Sequence, residues 1–147
     1  MKVRPSALII ESNRVLTMHY QYQGVDVFGL PGGNPDPGET LEKALIRELE
    51  EELGVSVLVK NLLVAGEVIW PEVSRETLHM VFSVEIVGGV PKLNPEHTTA
   101  LAIEWIPVSS LPDHLCYPNF GHELLACYNS GKGAGYVGPA NQPYLAG

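Results

Sequence analysis

The segment from Thr40 to Gly54 constrains the chain more than any other, because its side chains demand one backbone conformation and two environments at once. Leu41, Leu45, Leu49 and Leu53 recur every fourth residue, with Ile46 beside them. At roughly 100° per residue they fall within about 140° of one another, the apolar stripe of a helix packed on a core. Thr40 is placed to cap the first turn, Glu42 lies at the favourable end of the helix dipole, and Gly54 is placed to end the helix. On the same wheel Glu51, Glu48 and Glu52 fall at about 280°, 340° and 20°, one acidic stripe that overlaps the edge of the apolar face. Glu50 points out to plain surface.

That acidic stripe is unfavourable by itself. Glu48 stands three residues from Glu51 and four from Glu52, so like charges crowd on consecutive turns. Each such pair costs about a few tenths of a kcal/mol, and partial burial costs more. Lys43 and Arg47 are read as poorly placed to neutralise it. From Gly33 to Val55, Asp36, Glu39, Glu42, Glu48, Glu50, Glu51 and Glu52 stand against Lys43 and Arg47 alone, so most of the net charge of −8 is concentrated there. Such a face is either a solvated surface or a site for a hard divalent cation such as Mg²⁺, whose preferred ligands are clustered oxygens. Gly32 and Gly33, just upstream, allow backbone groups to approach a ligand closely. A glycine loop leading into an acidic helix offers carbonyls and carboxylates together, which suits a metal bridging to substrate phosphates.

Apolar runs over 3–10 and 15–20 predict strands joined by a hairpin turn at Glu11-Ser12-Asn13-Arg14. Further strands are predicted over 26–30, 56–60, 62–69, 77–87 and 101–106, with Leu78, Met80, Phe82, Val84 and Ile86 on one face of the run 77–87 and His79 on its polar side. A second helix is predicted over 120–128. From Asn129 the tail is rich in glycine and proline without periodicity, an irregular segment expected to be pinned to the rest. With 147 residues the expectation is one domain, 1–147, of α/β class with a mixed sheet between helices. The negative charge argues against nucleic acid as the main partner. No apolar run is long enough for a membrane span or a signal peptide, so the expected location is cytoplasmic. Cys116 and Cys127 match no metal or redox motif and are read as buried, reduced thiols, and a homodimer is compatible with the sequence.

Gly33 to Val55 resembles the Nudix box at every defining position: Gly33, then Glu39, then Arg47-Glu48-Leu49, Glu51-Glu52 and Gly54-Val55. The preceding Leu30-Pro31-Gly32 resembles the usual entry into that box. The similarity continues more loosely through Ile103-Glu104-Trp105-Ile106-Pro107-Val108 and Pro143-Tyr144-Leu145. Resemblance to this MutT-like family implies an α/β/α sandwich in which the box forms a loop-helix-loop. It implies that Glu48, Glu51 and Glu52, with the carbonyl of Gly32 or Gly33, bind Mg²⁺, with Mn²⁺ as a substitute. Arg47 and Glu39 match a pair that holds the loop against the helix. The implied reaction is attack of water on a phosphorus of a nucleoside-diphosphate derivative.

For the general base the resemblance leaves two candidates, Glu48 in the box, which is preferred, and Glu96 in the loop Leu93-Asn94-Pro95-Glu96-His97. Pro71 lies where many ADP-ribose pyrophosphatases of the family carry a proline, which favours ADP-ribose or another nucleotide sugar over a nucleoside triphosphate. Phe28, Trp70 and Tyr22 are candidates to stack on a base. The different-class alternative is a Nudix domain that senses a nucleotide or metabolite without cleaving it; the intact box favours the hydrolase.

Overall fold

The computed structural model describes residues 1–146. Strand β1 (Lys2–Leu8) carries the chain into a first sheet, and β2 (Ile10–Glu11) into a second. The single strand expected over 3–10 is therefore two, and the switch falls at Ile9. Its side chain is buried against the first helix, while that of Leu8 joins the cluster around the second. The turn at Ser12 and Asn13 has both residues in the left-handed region, φ 51° and 61°, as a two-residue hairpin requires.

The second sheet is built on β3 (Arg14–Tyr22). Strands β2 and β4 (Val25–Gly29) pair with one of its edges and β7 (Ala102–Pro107) with the other, while the short β8 (Cys116–Tyr117) runs parallel to β4. The first sheet is mixed. Strand β1 runs parallel to β6 (Arg75–Gly88), β6 runs antiparallel to β5 (Ser56–Trp70), and β5 parallel to β9 (Gly135–Tyr136). Residues 56–60 and 62–69, expected as separate strands, form one strand whose register shifts between Val59 and Val64.

Helix α1 (Leu41–Leu53) behaves as its sequence demands. The hydroxyl of Thr40 accepts from the Lys43 N–H at 3.1 Å, and Gly54, at φ 67°, donates its N–H to the Glu50 carbonyl at 2.9 Å. Leu45, Leu49 and Leu53 are fully buried with Val57 and Val84 of the first sheet. Helix α2 (Gly121–Ser130) packs Leu124 and Cys127 with Val64 and Val81 in the other cluster. The first sheet thus lies between the two helices, the α/β/α sandwich that the resemblance implied. One expectation fails here: His79, assigned to a polar face of β6, is fully buried, as is Val81. With helices on both sides the strand has no polar face to offer. Cys116 and Cys127 are buried and free, and among the described residues no helix is long and apolar enough to cross a membrane.

The glycine-rich tail is fastened along β5. Ala134, Val137 and Ala140 donate their N–H groups to the carbonyls of Leu63, Ala65 and Glu67, at 2.8, 2.9 and 2.8 Å. At Gly66 any side chain would overlap the Gly138 carbonyl and the Phe120 ring. The close approach of tail to sheet requires glycine at that position.

Candidate active site

The loop entering α1 is anchored at both ends. Pro31 accepts the Ala7 N–H at 2.8 Å, and Gly32 lies so close to Pro5 and Ser6 of β1 that a side chain there would overlap their backbone. Gly33, one residue on, stands directly against the Glu48 carboxylate, where a β-carbon would overlap it. Downstream, Arg47 grips Glu39 with two hydrogen bonds, Nε to Oε2 at 2.8 Å and Nη2 to Oε1 at 2.9 Å. Nη2 also reaches the Asn34 carbonyl, and the Asp36 N–H donates to Glu39 at 2.7 Å. The Arg47 hydrogen bonds, followed by that of the Asp36 N–H, hold the Glu39 carboxyl down at about 2. Its hydrogen bonds to Glu39 first, and then to Glu48, push the Arg47 guanidinium up.

Arg47 also corrects an expectation. Its Nη1 donates to Glu48 Oε1 at 3.0 Å and to Glu51 Oε2 at 3.2 Å, so it does neutralise part of the acidic stripe. A long stem ending in a planar fork of donors can serve both the loop and the next turn of the helix. Glu52 has no hydrogen bond from Arg47, and the nearby Arg4 charge offsets its burial only in part. Burial first, and then the neighbouring Glu48 charge, push its carboxyl up to about 8. Among the described residues no three His, Cys, Asp or Glu side chains converge into a ready-made cation cage. The donor chemistry nevertheless fits a hard divalent ion: carboxylates of Glu48, Glu51 and Glu52 lie on one helix edge, Glu52 half-buried, beside a glycine that leaves room for them.

The loop carrying Glu96 is tied to the C-terminal end of α1. Lys92 and Asn94 donate their N–H groups to the carbonyls of Leu53 and Glu52, and Asn94 Nδ2 donates to that of Glu51. These bonds satisfy carbonyls that a helix end leaves open. They also bring His97 Nδ1 to 3.9 Å from Glu51 Oε2. Among the described residues the Glu96 carboxylate has no ion-pair partner within 4.0 Å.

Glu52 and Glu96 both line a cavity of about 680 Å³. Its other walls hold Arg4, Arg75, Tyr20, Tyr22, Trp70 and Tyr117, and the tail contributes Gln142 and Tyr144. Arg4 lies over the Tyr117 ring at 5.4 Å, Tyr117 stacks on Trp70 at 6.1 Å, and Arg75 lies over Trp70 at 6.0 Å. One guanidinium nitrogen of Arg4 is buried without a partner. Beneath Tyr117, edge-on at 5.0 Å, sits the buried His79 ring, whose two nitrogens are also unpartnered.

Of the residues singled out from sequence, Glu52, Glu96, Trp70 and Tyr22 meet at this cavity, with Glu48 and Glu51 on the adjoining helix edge. Phe28 does not line it. Neighbouring residues on a strand point to opposite faces, so Val27 and Gly29 face the cavity while Phe28 stacks on His19 at 5.1 Å. Pro71 opens a short 3₁₀ turn after Trp70 and is exposed. No spacing in the sequence points to Arg4, Arg75, Tyr117 or Tyr144 as lining this cavity. A charge inside the apolar run of β1 was the one available sign of Arg4, and Tyr144 lies in a tripeptide noticed for its resemblance alone.

Residues 2–125 match the family model described as the NUDIX domain. The chain is 30% identical over 101 residues to an NAD-capped RNA hydrolase, NudC, of Vibrio atlanticus, covering 69% of this chain and 35% of that protein. It is 33% identical over 85 residues to an ADP-ribose pyrophosphatase of Methanocaldococcus jannaschii, covering 58% of this chain and 48% of that one. The chain therefore spans between a third and a half of the length of these relatives. Among solved structures, a MutT NUDIX hydrolase from Burkholderia pseudomallei superposes with a TM-score of 0.71 at 27% identity, over 85% of this chain and 95% of that one.

Proposed function

The chain belongs to the NUDIX domain family, and from that premise we propose that it hydrolyses the diphosphate linkage of a nucleoside-diphosphate derivative. Hydrolases of this family generally need a divalent metal; here Mg²⁺ is the proposed ion, with Mn²⁺ able to replace it. Glu48, Glu51 and Glu52 are the side chains that would hold it, with a carbonyl from Gly32 or Gly33. Bound there, it would supply positive charge to the phosphates and favour ionisation of water. Arg47 and Glu39 keep the glycine loop in place against that helix edge.

The observation that carries this reading is the shared cavity. Glu52 and Glu96 line the same space as two arginines and a group of aromatic rings, which is the composition a nucleotide with a charged diphosphate calls for. Water attacks one phosphorus, the P–O bond to the bridging oxygen breaks, and two phosphate monoesters leave. The proton lost by water passes to a carboxylate. Glu96 is better placed for this than Glu48, because it faces the cavity while Arg47 engages Glu48. ADP-ribose is the favoured substrate. Its support is the resemblance at Pro71 and the relative named as an ADP-ribose pyrophosphatase.

The test is a panel of ADP-ribose, NAD, other nucleotide sugars and nucleoside triphosphates with Mg²⁺ or Mn²⁺, scored by phosphate release after phosphatase treatment. Metal-dependent turnover highest on ADP-ribose is expected. Tight nucleotide binding without turnover on any member of the panel would make the chain a sensing module instead.

A further inference from the structure

The tail does more than cover a sheet edge, because it ends as a wall of the cavity. After its bonds to β5, the carbonyl of Gln142 accepts from Trp70 Nε1 at 3.1 Å. The Gln142 side chain locks the segment a second time: its Oε1 accepts the Asn119 N–H at 2.7 Å and its Nε2 donates to the Cys116 carbonyl at 2.9 Å. Two residues later the Tyr144 ring stands edge-on to Trp70 at 5.4 Å, partly exposed at the cavity wall. An irregular segment held at this many points presents its side chain in a fixed place.

We propose that this strap, residues 138–146, selects the substrate: the Tyr144 ring, braced edge-on by Trp70, takes the planar base of a nucleotide, while Arg4 and Arg75 receive its phosphate. Gln142 is the positioning residue that keeps Tyr144 in register. The aromatic and cationic groups are already in contact through Tyr117 and Trp70, and the unpartnered nitrogen of Arg4 has a donor to spare for an anionic oxygen. A volume of about 680 Å³ lies within the range of small-molecule sites. The assignment rests on the nucleotide-hydrolysing reading above, and adds that base recognition is delegated to the tail.

The experiment is a titration of the full chain with AMP, followed by tryptophan fluorescence in a Trp105→Phe background, so that Trp70 is the sole reporter. Ribose 5-phosphate, which lacks the base, competes in a parallel series. In Tyr144→Ala and Gln142→Ala the AMP dissociation constant is expected to rise about tenfold or more, the scale of losing one base-stacking aromatic. Ribose 5-phosphate binding should stay unchanged, and Tyr144→Phe should restore AMP binding. The KM for the preferred substrate should rise in step while kcat holds. Equal AMP affinity in the parent chain and Tyr144→Ala would overturn the strap's role and leave the hydrolase reading standing. Loss of ribose 5-phosphate binding alongside AMP in Tyr144→Ala would also overturn it, since the strap would then support the whole cavity. Failure of the parent chain to bind AMP or turn over any nucleotide would remove both readings together.

Discussion

Glu48 and Glu96 differ in what already holds them. The first accepts from Arg47 and is pressed by Gly33, whereas the second faces the cavity from a loop fastened to the end of α1. If Glu96 takes the proton from water, Glu96→Gln should lower kcat by about a hundredfold or more and leave Mn²⁺ affinity nearly intact. Glu48→Gln should weaken Mn²⁺ binding, and Glu51→Gln/Glu52→Gln should reduce turnover at least about tenfold without unfolding the chain. Calorimetric Mn²⁺ titrations beside kcat for the variants decide the assignment, and a fully active Glu96→Gln enzyme would return the role to Glu48. His79 provides a test unconnected with catalysis. Burial, with Arg4 adding to it, pushes the imidazole down to about 3 from its ordinary 6.5. The unfolded chain therefore takes up this proton first as pH falls, and the folded state loses stability from about pH 6.5 downward. The slope approaches about 1.4 kcal/mol per pH unit. His79→Leu removes the group, so its unfolding free energy should fall less steeply than the parent's between pH 6.5 and 5 in urea titrations. Parallel slopes would show that the ring finds a partner when charged.

Helix α1 was legible almost residue by residue, because its signals are local: a four-residue repeat of leucine, a threonine cap and a closing glycine. Thr40→Ala should cost about 1 kcal/mol of stability in denaturant melts and leave Mn²⁺ affinity alone. Gly33→Ala should do the reverse. The added methyl meets the Glu48 carboxylate rather than the helix backbone, so Mn²⁺ affinity should fall about tenfold while the fold survives. A variant with unchanged Mn²⁺ binding would place the cation away from Glu48. What the sequence left unread needed partners far along the chain. The split between β1 and β2 depends on which sheet each half meets, and the union of 56–60 with 62–69 depends on β6 accommodating a register shift. A helical wheel gives the direction of Arg47 but not its reach, so its bonds to Glu48 and Glu51 were missed. Likewise Arg4, Trp70, Tyr117 and Tyr144 come from four separate stretches, and no spacing along the chain announces that they meet.

The whole molecule places a repulsive acidic edge at the wall of a cavity, which makes its stability depend on what binds there. A cation held by the native state alone adds about 2.7 kcal/mol when present at a hundred times its dissociation constant. Thermal melts should therefore shift upward with millimolar Mg²⁺ or Mn²⁺, and further when AMP is added. Melts indifferent to both ions would count against a metal on α1. The seat of the tail has another kind of consequence. Three of its attachments to β5 run from main chain to main chain, and the one strict demand on the sheet is the missing side chain at Gly66. Such a seat fixes a few tail positions, the left-handed Gly135 and Gly138 and the side chain of Gln142, and makes no comparable demand at position 144. Helix α1 and Tyr144 also lie in distant stretches of the gene. A lineage can then exchange the residue at position 144, or recombine the whole end segment, while the chemistry encoded upstream is inherited unchanged; preference for one nucleotide over another becomes a trait able to drift and be selected separately.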